Sequence, residues 1–444
     1  MLFDFVSGDF NKYYYNKFNR KKRIHYVVMP PRRGTVTVSV TTEDNVTYDC
    51  KYRLVDKMDL YEKIVKGEPL DLDHVYVSDF DITEIFGHED YPLVSFSSSY
   101  SFWDGHVNFD HAVFGDGDVR FDHSTFGDGD TNFYNTKFSN GTVNFQHVNF
   151  GVGEVNFNYA SFGRGDVQFQ QAQFGEGNVF FVGTDFGKGG VLFPNADLGT
   201  GSFDFIRAKA ERVLFIENRF LSHTNLLFDE IGELVLQDCI IEKIVKCAAV
   251  PYRKLSFLHT ANLGQIYLAW KKGNILHAIE NGCRYETQQD TCVPVPFTHE
   301  ERALQFRMLK ENFRNIGEYE NEDRAYRAYM KYNTMRFPRN LLKMFGLISG
   351  YGTSPVRVFL TTMVTVFLFA IGYSQAFTLD PVGERFTHIF LKGLYFSATT
   401  FLTIGYGDIQ PPTQTVAFAA GIEGFLGLFL MSYFTVAIVR KLLR

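Results

Sequence analysis

Residues 109–138 read FDHAVFGDGDVRFDHSTFGDGDTNFYNTKF, and phenylalanine returns in them after five and then after seven positions. The pattern persists: Phe occupies 109, 121, 133, 145, 157, 169, 181 and 193, and a second series at 114, 126, 138, 150, 162, 174 and 186 closes with Leu198. A 12-residue period matches neither the 3.6 of a helix nor the 2 of a half-buried strand. It matches a solenoid, in which each short segment turns one side chain inward and the next coil stacks a like residue on it. Working outward, Leu70, Val75, Phe80 and Ile85 already fall five apart, and beyond the strict block Val213–Phe215, Leu234–Leu236 and Leu255–Phe257 recur every 21 residues.

The extra two residues of each repeat are a turn such as Gly115, Asp116, Gly117, Asp118. Glycine suits a corner of positive φ. The acids Asp116, Asp118, Asp128 and Asp130 are calcium-type donors, but Arg164 and Lys188 stand at equivalent positions and the 139–142 turn has no acid. Solubilised tight turns are therefore the better account. On these residues the segment resembles the pentapeptide-repeat family of right-handed quadrilateral β-helices, whose coils have four five-residue faces. Faces of alternately five and seven residues imply a 24-residue coil here in place of the family's 20. Eight strict repeats then make about four coils, a rod ~19 Å long at ~4.8 Å per coil, with a stack of β-hairpins bearing the same ladders as the alternative.

The whole chain of 444 residues has 47 Phe and 24 Tyr against 2 Trp and a net charge of −6. That balance argues against a nucleic-acid partner. Residues 104–201 alone carry 12 acids and 4 bases. A mean hydropathy of −0.12 excludes a chain embedded in a membrane throughout but allows local spans. The five cysteines (50, 239, 247, 283 and 292) form no C-x-x-C pair, which favours a reducing compartment over a disulfide framework and indicates no zinc site. Met1–Asn19 has no apolar h-region, so a cytosolic location is expected for the bulk of the chain. The expected division is a β-rich cap (1–69) containing a hairpin around Glu43–Asn45, the β-solenoid (70–275), a helical adaptor (276–354) and a membrane domain (355–444). The basic run Arg20–Arg23 reads as a solvated face before a lipid-docking one. His106, His111, His123 and His147 read as single, solvated residues.

The adaptor opens with a capping box, Thr298 and Glu301, ahead of the stripe Ala303, Phe306, Leu309 and Phe313 that stops at Gly317. A second helix runs from about Asn321 to Arg336, before Pro338. Val358–Leu379 then holds 22 residues without a charge, ~33 Å of helix against a hydrocarbon core of ~30 Å. Thr413–Val439 is a second span whose one charge is Glu423. Arg336, Arg339, Lys343 and Arg357 precede the first span, and Arg440, Lys441 and Arg444 follow the second. The positive-inside rule places both termini in the cytoplasm and the connecting loop, with Asp380, Glu384 and Arg385, outside.

Within that loop Ile389–Leu402 is apolar yet too short to span, and it ends in Thr403, Ile404, Gly405, Tyr406, Gly407, Asp408. Span, short helix, glycine-rich strand, span describes a re-entrant pore, since non-helical backbone at membrane depth survives only inside protein or along a watery path. Consecutive carbonyls facing one axis replace a cation's water shell and require alternating backbone conformations that Gly405 and Gly407 adopt readily. Ile404 and Tyr406 would then face away and pack on the pore helix. These residues, with Leu394–Thr400 before them, look like the pore loop of two-span potassium channels, a resemblance covering 355–444. It implies K+ at the carbonyls of Thr403, Ile404, Gly405 and Tyr406, with Gly407 continuing the filter and Asp408 at its outer mouth. Leu402 and Thr399 stand where many relatives have Thr and some have Glu, so block and inactivation behaviour do not carry over. Gly350, Tyr351, Gly352 precedes the first span and reads as a linker.

Glu423 is costly in a span unless paired, and bracing the pore helix at Thr399 or Thr400 is favoured over a proton site. Gly424 and Gly427 resemble inner-helix hinge glycines, with close packing as the alternative. One chain supplies one filter strand, so the resemblance implies a homotetramer in a lipid bilayer, in the plasma or cell inner membrane, with permeant K+ and no cofactor. No voltage-sensor pattern is present, and the chain leaves no room after the second span for a C-terminal ligand domain, so regulation by an unknown cytosolic ligand or protein is expected at the solenoid. The rival reading is a membrane-tethered acidic β-helix scaffold with a non-conducting or non-selective pore. An enzyme is least favoured, because no G-x-S-x-G, H-E-x-x-H or P-loop motif occurs.

Overall fold

The computed structural model describes residues 25–41, 46–288, 291–333, 346, 350–377 and 386–442. The run Arg20–Arg23, the Glu43–Asn45 turn, Arg336, Pro338, Arg339, Lys343, Asp380, Glu384, Arg385 and Arg444 lie outside the described residues. The chain forms two compact units, Met1–Met308 and Leu309–Arg444.

In the first unit β1 (His25–Val28), β2 (Thr35–Thr41) and β3 (Thr47–Leu54) make an antiparallel meander. The alternation of Val36, Val38 and Val40 places all three against Tyr52, Tyr76 and Phe102. Strand β3 then pairs in parallel with Val75–Ser78, so the expected cap shares a sheet with the first coil and covers an edge that would otherwise recruit other chains. Helix α1 (Lys57–Val65) starts at Asp56, whose carboxylate accepts from the Met58 amide at 2.9 Å. A single turn, α2 (Thr83–Phe86), follows.

The repeat forms a parallel β-solenoid. Val143 pairs with Val167, and Thr131 with Val155, each 24 residues on. Past Val191 the step shortens, and Val213, Leu234 and Leu255 pair 21 apart. One face is a nine-stranded sheet and another is eight-stranded, so the flanking coils extend the rod well beyond the strict block. Parallel pairing removes the hairpin-stack alternative, and the solenoid fits the pentapeptide-repeat type of β-helix. Inside, the rings stack face to face: Phe109, Phe133, Phe157 and Phe181 at 5.3, 4.9 and 5.1 Å, and Phe121, Phe145, Phe169 and Phe193 at 5.1, 5.1 and 4.8 Å. Each ring is removed from water by the coils on either side, a burial that no coil could achieve alone.

The turn glycines serve a second purpose beside the expected one. In most turns the second glycine has an ordinary φ, but it lies directly on the turn of the preceding coil: a Cβ on Gly153 would sit 2.1 Å from the Gly129 carbonyl oxygen. Among the turn glycines Gly117 (143°), Gly151 (63°), Gly187 (61°) and Gly199 (69°) do have the expected positive φ, and a second series of positive φ falls two residues after each Phe, at His111 (60°), His123 (59°), Asn135 (50°), His147 (57°) and Tyr159 (59°). The turn acids also have structural partners. Asp118, Asp130 and Asp166 accept from the amides of Thr142, Glu154 and Gly190, 24 residues on, at 2.8, 2.9 and 2.6 Å, and so staple coil to coil. The histidines are not solitary either: His123 and His147 stack at 4.4 Å, while His88 and His111 both bond Asp110.

After the last coil comes α3 (Ile275–Glu280) and then an antiparallel hairpin, Cys283–Gln288 with Thr291–Pro296, where the sequence suggested only helix. The hairpin covers the outer face of the sheet, with Cys283 and Tyr285 against Leu214, Ile216 and Val235. The five cysteines are free thiols. Helix α4 (His299–Asn315) carries the reciprocal capping box: the Thr298 amide donates to Glu301 Oε2 at 2.7 Å and the Glu301 amide to Thr298 Oγ1 at 3.2 Å. Its stripe of Ala303, Phe306, Leu309 and Phe313 is buried, and the chain turns at Gly317, φ 78°.

Candidate functional site

The second unit holds α5 (Tyr319–Tyr332), the outer helix α6 (Pro355–Phe377), the pore helix α7 (Phe386–Phe401) and the inner helix α8 (Gln414–Leu442). Helices α6 and α8 are long and apolar enough to cross a membrane. The pore helix, 16 residues and ~24 Å long, is not. Gly350, Tyr351 and Gly352 all have positive φ and form a turn just before α6.

The strand after α7 has the alternating backbone that its glycines suggest. Thr403, Gly405 and Gly407 adopt positive φ (53°, 58° and 77°), while Ile404 and Tyr406 do not. The pore helix fixes where this strand begins: the carbonyl of Thr399 accepts from the amides of Ile404 (2.9 Å) and Gly405 (3.4 Å), and that of Thr400 from Thr403 (3.0 Å). Those donors are thus held toward the helix and away from any ion path. The negative end of the α7 macrodipole also lies at this junction, which favours a cation. At the far end Tyr395 Oη donates to Asp408 Oδ2 at 2.9 Å, tying the mouth of the strand back to the helix. Ile404 and Tyr406 are 47% and 69% exposed in the single chain. A single chain leaves the backs of these side chains uncovered.

Glu423 is fully buried, and its carboxylate joins three helices. Ser397 Oγ on α7 donates to Oε1, and Tyr373 Oη on α6 donates to Oε2 at 2.7 Å. The partner on the pore helix is therefore Ser397 and not Thr399 or Thr400; the hydroxyl of Thr399 turns back to the carbonyls of Tyr395 and Phe396, both at 3.0 Å. The Ser397 hydroxyl also lies 2.8 Å from the Val366 carbonyl, so the brace fixes the height of the pore helix against both spans. The two inner-helix glycines differ. A Cβ on Gly427 would lie 2.0 Å from the Phe401 carbonyl oxygen, whereas one on Gly424 would meet nothing closer than 3.7 Å. Gly427 is thus a close-contact glycine under the C-terminus of the pore helix.

At the other end of α8, Arg440 lies 3.3 Å from Asp323 and 3.7 Å from Glu322, both buried on α5, and its guanidinium covers the Tyr326 ring at 4.6 Å. A planar cation between two carboxylates and an aromatic face ties the inner helix to α5. The sequence indicated Glu423 through its cost in a span but gave no sign of Ser397, Tyr373, Tyr395 or this arginine clamp, whose partners are more than a hundred residues apart.

No curated protein and no solved structure matches the chain. Residues 356–444 match the family model described as an ion channel, and the C-terminal region of this membrane protein is accordingly an ion-channel domain.

Proposed function

We propose that the protein is a homotetrameric, potassium-selective channel of the plasma or cell inner membrane, with both termini in the cytoplasm and a cytosolic solenoid that regulates the pore. The observation that carries this is the Thr403–Asp408 strand, in which residues of positive φ alternate with residues that lack it and the amides of Ile404 and Gly405 are tied to the pore helix. Alternation of that kind lets successive carbonyls point one way and replace a cation's water shell. The exposure of Ile404 and Tyr406 supports the assembly, because apolar side chains bare in one copy are covered when copies close a ring. The test is the reversal potential of the purified protein in planar bilayers under opposed potassium and sodium gradients. Reversal near the potassium equilibrium potential, lost in Gly405→Ala, is expected. Reversal near zero defeats selectivity, and a silent filter in an intact tetramer with its stimulus supplied favours the tethered-scaffold reading.

A further inference from the structure

A cavity of about 520 Å³ on the flank of the solenoid is walled by Lys188, Glu211, Arg212, Glu233, Arg253 and Lys254. Four cations face two carboxylates there, in a unit whose neighbouring coils are strongly acidic. The charges are placed by register. Gly190, Arg212, Glu233 and Lys254 pair side by side across four parallel strands, so three charged side chains emerge in one row on the outer face. The glycines make the room: a Cβ on Gly190 would sit 2.7 Å from Arg212 Nε, and one on Gly232 would sit 2.4 Å from an Arg253 nitrogen. Each arginine lies across the bare backbone of its neighbour. Asn281, where the chain leaves the last coil for the hairpin that leads to α4, also lines the pocket.

Much of this charge is committed to holding the wall. Arg253 pairs with Glu211, Lys254 lies 3.7 Å from Glu233, and Arg212 reaches Asp166 at 3.4 Å. Two donors are left over. Arg212 Nε is buried without an acceptor, a costly state for a charged group, and Lys188 makes no ion pair among the described residues. A ligand that meets the exposed third of the Arg212 side chain together with Lys188 must bring several acceptor oxygens on one centre, and the planar arginine fork is suited to phosphate. Glu211 and Glu233 meanwhile offer acceptors to hydroxyl or amino groups. The volume lies in the range of small-molecule sites.

We propose that this pocket binds a small organic phosphate bearing hydroxyl or amino donors, with Arg212 and Lys188 on the phosphate. The site is a property of the solenoid and does not depend on whether the pore selects potassium. The experiment is equilibrium binding of 5′-AMP and of pyrophosphate to the purified full-length protein, with citrate as competitor. Saturable, salt-sensitive binding of 5′-AMP is expected, weakened about tenfold by Arg212→Gln and by Lys188→Gln and unchanged by Lys243→Gln, an exposed control elsewhere on the solenoid. Lys188→Gln is the decisive variant, because that side chain supports no ion pair among the described residues and its removal is expected to leave the fold intact. Failure of 5′-AMP and pyrophosphate to bind, binding indifferent to both substitutions, or displacement by citrate as effective as by pyrophosphate each overturns the assignment.

Discussion

The solenoid and the pore domain use the same amino acids to opposite ends. In the solenoid the aromatic rings are satisfied within one chain: Phe121, Phe133, Phe145, Phe157 and Phe169 are fully buried, each stacked on the ring 24 residues away. In the pore domain Ile404, Tyr406, Phe418 and Phe425 are exposed, and the strand between the spans has a complete backbone conformation but no cover. One region saturates its contacts by repeating along its own sequence. The other leaves apolar side chains exposed in the single chain. Damage should therefore propagate differently: a defect in the rod is a folding defect of one chain, while a defect in the pore is one of assembly or conduction.

The contrast is broken most forcefully at the turn column. Gly153→Val places a side chain where the Gly129 carbonyl already is, and chains that fail to yield soluble, folded 1–308 segment on limited proteolysis are expected; an unperturbed digest would mean that the coils can part. Phe145→Ala removes a fully buried ring from the middle of a ladder and should cost about 3–5 kcal/mol, read as a fall in the unfolding midpoint of the rod. Glu423→Leu strands the Tyr373 hydroxyl, at about 1–3 kcal/mol, and leaves Ser397 only the Val366 carbonyl, whereas Glu423→Gln retains an acceptor; detergent thermal stability should fall far more for Leu, and equal losses would show that the brace is not what matters there. Arg440→Ala releases α5 from the inner helix, and faster amide exchange across residues 319–332 is the expected sign. The smallest effect is Thr298→Ala, which removes half of the capping box and should lower stability by about 1 kcal/mol.

What could be read from the sequence follows the same divide. The 24- and 21-residue steps were legible because stacking demands that like residues recur at the coil length, and the capping box because its two partners are three residues apart. The conformation of the Thr403–Asp408 strand was legible since its glycines report backbone conformation directly. The true task of Gly153 and its equivalents was not, because glycine looks alike whether it relieves a strained φ or a close approach, and only the distance to the next coil separates the two. Thr399 and Ser397 are two residues apart and both carry hydroxyls, so only the helical phase against Glu423 chooses between them. The phosphate pocket was invisible for a simpler reason: its walls come from residues 188 to 281 and converge through strand register.

The equivalence of the two half-coils also makes the rod a counting device. Faces beginning at Phe109 and at Phe121 carry the same inward ring, the same left-handed corner and the same glycine turn. Gene-level gain or loss of one 12-residue unit inside the strict block therefore keeps every ladder in step while swinging all that follows through half a revolution. Gain or loss of two units restores the original bearing and changes only the reach, by about 4.8 Å. Length and azimuth of the N-terminal cap can thus be adjusted in discrete clicks, without inventing a new contact.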